Sequence, residues 1–306
     1  MLLCRLGKAC HRTDEAIRLM GMEMKLAHMN CRALVFSIII CQLILAGAPA
    51  SDGALAQPAP SGLSTGILNE KDRRVQISSD PWPWSSLGRI NIIAGYGRGF
   101  CTGTLIAPRR VLTAAQCLFS DMVNGWVKPG SVHFLIGQEK DKSLGHSIVE
   151  TFVIAPEFAY KLSDRPRFDM IDPKMIRHNW AILTLRYEVP GKPVPILAIE
   201  HSDLPSLESA GEFALAGYAS DREYVLSLHK KCAVMIDPAD PGVITHMCDT
   251  VGQSGAPILV LSDTSAKVIG IHSSVVQRFE PNVGYKALMG KGALATEFEK
   301  AATLKP

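Results

Sequence analysis

The sequence lacks the features of a nucleic-acid-binding or metal-binding protein. Its net charge is only +3 over 306 residues, and Lys and Arg are scattered, so it has no basic footprint for nucleic acid. None of the eight cysteines forms a Cys-x-x-Cys pair, so we expect no zinc or other metal. Gly95–Gly99 is glycine-rich, but no phosphate-binding helix follows it. We therefore predict a hairpin turn there and no nucleotide or other cofactor.

The sequence also has little that could span a membrane. The apolar run Ala33–Ala48 is short for a span of about 20 residues and contains Ser37 and Gln42. A charged start followed by such a run is typical of a secretory signal peptide. Two small-residue cleavage sites follow the run, and their last residues are Ala50 and Ala56. We favour cleavage after Ala56. We predict a secreted or periplasmic protein with no stable membrane partner. In the alternative, the apolar segment is not cleaved and tethers the protein to a membrane.

Composition divides the chain into four parts. Residues 1–32 form a lead with several methionines that offer later starts, and residues 33–56 hold the apolar segment and cleavage region. Residues 57–70 are rich in Pro, Ser and Gly, which predicts a flexible linker. Residues 71–306 form the folded domain.

The eight cysteines fall into two equal groups. The first group, at or before the apolar run, consists of Cys4, Cys10, Cys31 and Cys41. The second group, in the main body, consists of Cys101, Cys117, Cys232 and Cys248. Cleavage would leave the second group, an even number that suits two disulfides in an oxidising compartment.

The main body has many short apolar runs and little helical periodicity. Turn residues separate the runs 132–136, 147–155, 180–185, 213–216, 234–236, 258–261 and 268–272. This pattern predicts an all-β sandwich or barrel. Near the C-terminus, the spacing of Leu294, Phe298 and Ala301 predicts a helix over 294–304.

One stretch, Cys248–Pro257 (CDTVGQSGAP), places Ser254 in a tight glycine turn. Glycine permits φ angles that other residues resist. Such a turn can aim the amides of Gly252 and Ser254 at one point, as an oxyanion hole requires. Alone, the stretch is more typical of an ordinary turn between two strands.

A second stretch, Phe100–Cys117 (FCTGTLIAPRRVLTAAQC), changes that interpretation. Together the two resemble the chymotrypsin-like serine proteases, in which Cys-x-Gly-(Ser/Thr)-Leu-Ile leads to Thr-Ala-Ala-His-Cys and Gly-x-Ser-Gly-x-Pro follows later. The resemblance covers roughly residues 70–300 and is closest to the bacterial branch that includes glutamyl endopeptidases. It implies two six-stranded antiparallel β-barrels with a short C-terminal helix.

The resemblance also implies a disulfide between Cys101 and Cys117. Closeness in sequence then leaves Cys232 and Cys248 as the second pair. Trypsin-type zymogens carry an Asp just before the serine, which receives a new N-terminal amine. Here that position is Gln253, so we expect no activation by such an ion pair.

The resemblance places Ser254 at the nucleophile position, but the base position is Gln116 and the acid position is Asn179. A carboxamide has no useful pKa near neutrality and cannot take the serine proton. In other serine proteases, loss of the base costs about 10⁶ in kcat and Asp→Asn alone about 10⁴. We therefore predict a weakly active or inactive homologue that binds a peptide or protein in its groove. We also expect Gln116 and Asn179 to hydrogen-bond to each other.

The alternative is an active serine endopeptidase with a non-standard base. His178 should point away from the site, and His246 lies near Cys248 but matches no family base. Four other histidines, His133, His146, His201 and His229, are expected to be solvated. In glutamyl endopeptidases a histidine at the position of His272 meets the substrate glutamate, so His272 and Ser273 are candidates for the specificity pocket. The active alternative would then cut after Glu or Asp.

Overall fold

The computed structural model describes residues 65–68, 71–158 and 172–304. The predicted lead, the apolar segment, both cleavage sites and the first group of cysteines lie outside these residues. In chain order the strands are β1 (Thr65–Gly66), β2 (Val75–Ile77), β3 (Leu87–Ala94), β4 (Gly97–Ala107), β5 (Arg110–Thr113), β6 (Phe119–Ser120), β7 (Gly125–Trp126), β8 (Val132–Ile136), β9 (Gly145–Ile154), β10 (Ala181–Leu185), β11 (Glu212–Tyr218), β12 (Leu226–Lys230), β13 (Val234–Ile236), β14 (Val243–His246), β15 (Thr250–Val251), β16 (Pro257–Leu261), β17 (Ala266–Glu280) and β18 (Gly284–Leu294).

The helices are few and short. The α-helices are α1 (Leu204–Ala210) and α2 (Ala295–Thr303). Single 3-10 turns cover Trp84–Ser86, Ala115–Leu118, Asp121–Val123, Pro129–Ser131, Pro173–His178 and His201–Asp203. None of the helices in this described part of the chain is long and apolar enough to cross a membrane.

The first half of the domain is a closed barrel of six strands in the order β10-β5-β4-β3-β8-β9. Its strands show the alternation that a barrel wall requires: in β8, Val132, Phe134 and Ile136 are buried, and His133 and Leu135 face outward. By contrast, all five residues of β10 are buried. This barrel confirms one of the two that the resemblance implies.

The second half is an eight-stranded sheet, β13-β14-β18-β17-β16-β11-β12-β2. The N-terminal strand β2 pairs with β12, so a strand from before the first barrel extends the sheet of the second half. The prediction of an all-β fold is confirmed. The second half differs from the expected six-stranded barrel: it is a sheet of eight strands, with β13 and β2 at its two ends.

Helix α2 ends the domain close to the predicted range. It buries Ala295 and Phe298, and the Arg110 guanidinium of β5 donates to the carbonyl oxygens of Ala301 and Leu304. Cations suit the C-terminal end of a helix because the last carbonyl groups carry partial negative charge. The predicted C-terminal helix is confirmed.

Thr102 of β4 joins the two halves at the point where they meet. Its hydroxyl accepts a hydrogen bond from the Tyr218 amide of β11 at 2.9 Å. Its backbone carbonyl accepts one from the Thr113 hydroxyl at 2.8 Å, and its amide donates to the Ser254 carbonyl at 2.9 Å. One buried residue therefore connects β4, β5, β11 and the serine turn.

Both predicted disulfides form, Cys101–Cys117 and Cys232–Cys248. The first joins β4 to the 3-10 turn that carries Gln116. The second links the end of β12 to the segment just before the serine turn. Each therefore anchors a segment of the candidate site.

Candidate active site

The Ser254 turn depends on glycine at both flanking positions. Gly252 has φ +62° and Gly255 has φ +79°, both in the left-handed region. A Cβ at Gly255 would also overlap the Thr113 hydroxyl and the Thr102 carbonyl, and one at Gly252 would lie 2.7 Å from the Ser220 hydroxyl. Any side chain at either position would displace the turn.

Backbone hydrogen bonds tie this turn to both halves of the domain. The Ser254 carbonyl accepts from Thr102 of the first barrel, and the Gly255 amide donates to the His272 carbonyl of β17 at 2.8 Å. Within the described residues, the amides of Gly252 and Ser254 donate to no other residue. Both are thus free to donate to a carbonyl oxygen in the cleft, as expected of an oxyanion hole.

Gln253 holds the turn from beneath with a neutral side chain. It is fully buried. Its Nε2 donates to the carbonyl oxygens of Gly217 at 3.1 Å and Ser227 at 3.3 Å, and its Oε1 accepts from the Val251 amide at 3.4 Å. The backbone therefore satisfies this carboxamide without any charged partner.

Gln116 and Asn179 form the reciprocal pair expected from the sequence. Gln116 lies in the 3-10 turn after β5, and Asn179 follows the 3-10 turn that precedes β10. The Asn179 side-chain Nδ2 donates to Gln116 Oε1 at 2.6 Å. In return, the backbone N–H of Gln116 donates to Asn179 Oδ1 at 3.0 Å. Since Asn179 is fully buried, this pair fills the space behind the serine.

The carboxamide of Gln116 then reaches Ser254. Its Nε2 donates to Ser254 Oγ at 2.8 Å and to the Ser273 carbonyl at 3.1 Å. An amide nitrogen has two hydrogens and no basic lone pair, so the serine oxygen accepts a hydrogen bond where catalysis would require it to donate one. The three polar side chains form a chain of hydrogen bonds, but that chain cannot remove the serine proton.

His272 lies beside this arrangement and pairs with a second histidine. Its Nδ1 lies 3.0 Å from His246 Nε2, and both rings are buried. Burial lowers the pKa of His272 to about 4. Burial, followed by the proximity of His272, holds the pKa of His246 well below its ordinary value. Both imidazoles are therefore neutral near pH 7, and each ring is fixed by the other.

No histidine of the described chain forms a hydrogen bond with Ser254 Oγ. His178 lies at the end of a 3-10 turn, where its Nδ1 is 3.8 Å from Glu157. It therefore lies outside the strands, and no hydrogen bond between described residues joins it to Ser254. His246 contacts His272 and Cys248.

The expectation that His229 is solvated is wrong. His229 is only 5% exposed, and its Nδ1 accepts a hydrogen bond from the Asp249 amide at 2.7 Å. It lies on β12, whose first four residues are all buried. Since both faces of β12 are covered, alternation along the strand does not bring His229 to the surface.

Asp249 is a residue of the site that the sequence did not single out. Its carboxylate is fully buried and accepts from the Leu68 amide at 2.8 Å and from the Arg73 amide and guanidinium at 2.9 Å. Burial acts to raise the pKa of Asp249, but the hydrogen bonds from Arg73 and Leu68 outweigh it and hold that pKa below its ordinary value.

Through Asp249, the segment before β2 is tied to the serine turn. Thr65–Gly66, within the segment interpreted as a linker, pairs with Thr250–Val251 directly before Gly252. A Cβ on Gly66 would overlap Thr250 and lie 2.9 Å from Val275. The absence of a side chain at Gly66 is what lets the two strands approach so closely.

A cleft of about 570 Å³ runs past the serine. Five of the candidate residues line this cleft, namely Ser254, Gln116, Gly252, His272 and Ser273. Residues of the β3–β4 hairpin and Met122 line the same cleft. In the residues for which coordinates are described, no three metal-ligating side chains come together.

Comparison with known proteins agrees with this architecture. No protein-family model matches the sequence. The chain is similar in structure to a Glu endopeptidase solved in complex with MPD, with a TM-score of 0.54 and 16% identity, over 78% of this chain and 100% of that one. It is also similar to the thermostable serine protease AL20 from an extremophilic microorganism, with a TM-score of 0.51 and 17% identity, over 72% of this chain and 98% of that one. With the closed barrel, the second sheet and the terminal helix, these similarities show that the chain has the chymotrypsin-like serine protease fold.

Proposed function

We propose that this protein binds an extended peptide or protein segment in the cleft at Ser254 and hydrolyses peptide bonds weakly or not at all. The observation that carries the proposal is the 2.8 Å hydrogen bond from Gln116 Nε2 to Ser254 Oγ. In a working triad that contact joins the serine to a basic nitrogen. Here the nitrogen only donates.

The rest of the site supports binding. The free amides of Gly252 and Ser254 suit a peptide carbonyl, and Phe100 and Met122 add apolar surface to the lining of the cleft. Without a base, the hole and groove of other serine proteases retain roughly 10³–10⁴-fold catalysis over water, far short of a working protease. A protein of this kind would act by binding a peptide or protein segment in its groove and not by cleaving it.

His272 and Ser273 line the same cleft and are our candidates for contacts with a bound side chain. A neutral imidazole with one nitrogen bound to His246 offers one further polar atom to a ligand. Within this proposal, acidic side chains are the preferred occupants. The two disulfides suit a secreted or periplasmic protein.

Labelling with a fluorophosphonate probe tests the proposal, because this reagent reports an activated serine. We expect labelling of the purified protein to be at most marginally above that of Ser254→Ala. Rapid labelling that disappears in Ser254→Ala would overturn the proposal in favour of an active endopeptidase.

Binding is tested separately with a fluorescent peptide library that varies one position among acidic, basic and apolar residues. We expect saturable binding, strongest for acidic residues. Binding of acidic peptides should weaken in Met122→Asp, because this change adds a negative charge to the lining of the cleft. If no peptide binds saturably, the proposal that the groove binds peptides is wrong.

A further inference from the structure

Two histidines form a close pair on the outer surface of the first barrel. His133 lies on β8 and His146 on β9, and neither lines the cleft at Ser254. The register pairs His133 with Ile148 and Leu135 with His146, so the two histidines are diagonal neighbours on one face of the sheet. Long side chains bridge such diagonal positions.

The two imidazole rings are arranged almost in parallel. Their planes differ by 5°, their centroids lie 5.2 Å apart, and His133 Nδ1 lies 2.9 Å from His146 Nε2. A contact of that length requires a neutral acceptor on one side, because two protonated rings would place like charges in contact. Neutral imidazole is also the form that binds metal ions.

The separation of the two nitrogens is the separation that a metal ion imposes. With metal–nitrogen bonds of about 2.0–2.1 Å, two nitrogens at a right angle around one ion lie about 2.9 Å apart, and at a tetrahedral angle about 3.3 Å. Rotation of the rings about their side-chain bonds would turn both lone pairs toward one point. The strands themselves need not move.

Among the residues that the structure describes, no third side chain joins the two histidines to form a group of metal ligands. Asn91 lies opposite His133 on β3, but its carboxamide oxygen accepts a hydrogen bond from Arg89. Water would therefore complete the coordination. Two imidazoles with open positions favour borderline ions, and the general order of affinity puts Cu²⁺ above Ni²⁺ and Zn²⁺.

We propose that His133 and His146 form a two-histidine site for a divalent transition metal ion, with Cu²⁺ preferred, that cross-links β8 and β9 on the outside of the barrel. An ion there would bind the folded chain better than the unfolded chain, whose histidines are not held together. At a free-ion concentration ten times Kd, such binding favours the folded state about elevenfold.

The test is titration of the full chain with Cu²⁺, Ni²⁺ and Zn²⁺. Cys4, Cys10, Cys31 and Cys41 are replaced by serine in all samples, because thiols would also bind these ions. Electron paramagnetic resonance of the Cu²⁺ complex should show two coordinating nitrogens. His133→Gln and His146→Gln should each lose this signature and weaken Cu²⁺ binding at least tenfold. The matched control is His201→Gln, another exposed histidine, which should change neither.

Equal Cu²⁺ affinity in the parent and in both histidine variants would overturn the proposal. So would a one-nitrogen signature in the parent. The metal-free melting temperature of each variant shows whether it is folded. If His133→Gln fails to fold, the His146→Gln variant alone tests the proposal. His146 is exposed, so its side chain can be replaced with little effect on packing.

Discussion

The buried carboxylate of Asp249 is paired with the guanidinium of Arg73 across 176 positions of sequence. Two guanidinium nitrogens contact the two carboxylate oxygens at 2.9 Å. Such a two-point contact fixes direction as well as distance. The pair therefore holds the N-terminal segment against the strand that leads into the serine turn.

Arg73→Leu should destabilise the domain, because it leaves the buried carboxylate without its cation. Breaking a fully buried pair costs about 3–5 kcal/mol. Since the Arg73 side chain is 39% exposed, we expect about 2–3 kcal/mol, measured as the free energy of unfolding in urea. Arg278→Leu is the control, because its partner Glu280 is on the surface and Arg278 itself is 64% exposed. Its loss of stability should be much smaller than that of Arg73→Leu. Equal losses in the two variants would contradict this account.

The same pair predicts a dependence of stability on pH. Because the folded-state pKa of Asp249 lies below its ordinary value, its contribution is present above the unfolded-state pKa, near 4. The contribution is lost as the pH falls through the folded-state pKa. The stability difference between the parent and Asp249→Asn should therefore be constant from pH 5 to 7 and shrink below pH 4. A difference that grows on acidification would show that the carboxylate is protonated in the folded state.

The parts of the fold that local sequence determines were predictable. Short apolar runs predicted the strands, and the spacing of Leu294 and Phe298 predicted the last helix. The motif resemblance predicted the Cys101–Cys117 disulfide, and closeness in sequence predicted Cys232–Cys248. The hydrogen bond between Gln116 and Asn179 also followed from the motifs, since these place the two side chains at neighbouring positions. Each of these inferences uses residues close in sequence or placed by a motif.

The parts that depend on distant pairing were not predictable. Nothing in the sequence around Arg73 indicates that its partner is Asp249, because a buried ion pair leaves no periodic pattern. The addition of β2 to β12 likewise depends on which sheet edge is open once both halves have folded. His229 lies on a strand covered on both faces, so alternation did not reveal its burial. Long-range contacts decide all three features.

Gln253→Glu should show how closely the turn depends on a neutral side chain. Nε2 of Gln253 donates hydrogen bonds to two carbonyl oxygens. A carboxylate oxygen in its place has no hydrogen to donate, so it would lie against both carbonyl oxygens without a hydrogen bond. A buried charge with no partner costs several kcal/mol, and we expect a loss of about 3 kcal/mol near pH 7. Protonation of the new carboxyl restores a donor, so part of the loss should be recovered at low pH. Gln253→Met keeps the volume without the charge, and its loss should be smaller and independent of pH. The measurement is urea unfolding at several pH values.

Gln116→His combined with Asn179→Asp should convert the site into a working relay. The imidazole would replace the amide that now lies 2.8 Å from Ser254 Oγ, and the carboxylate would replace the amide that now contacts Gln116. In other serine proteases Asp→Asn costs about 10⁴ in kcat, so the double variant should exceed Gln116→His alone by up to about that factor. Hydrolysis of a fluorogenic peptide measures the gain, and adding Ser254→Ala to the double variant should abolish it. The glycine turn, the free amides and the cleft are already in place. Under the proposed function, the double variant therefore supplies the two groups that the relay lacks, a base and an acid. A double variant that folds, binds peptide and still fails to cleave it would show that the arrangement around Ser254 lacks more than a base.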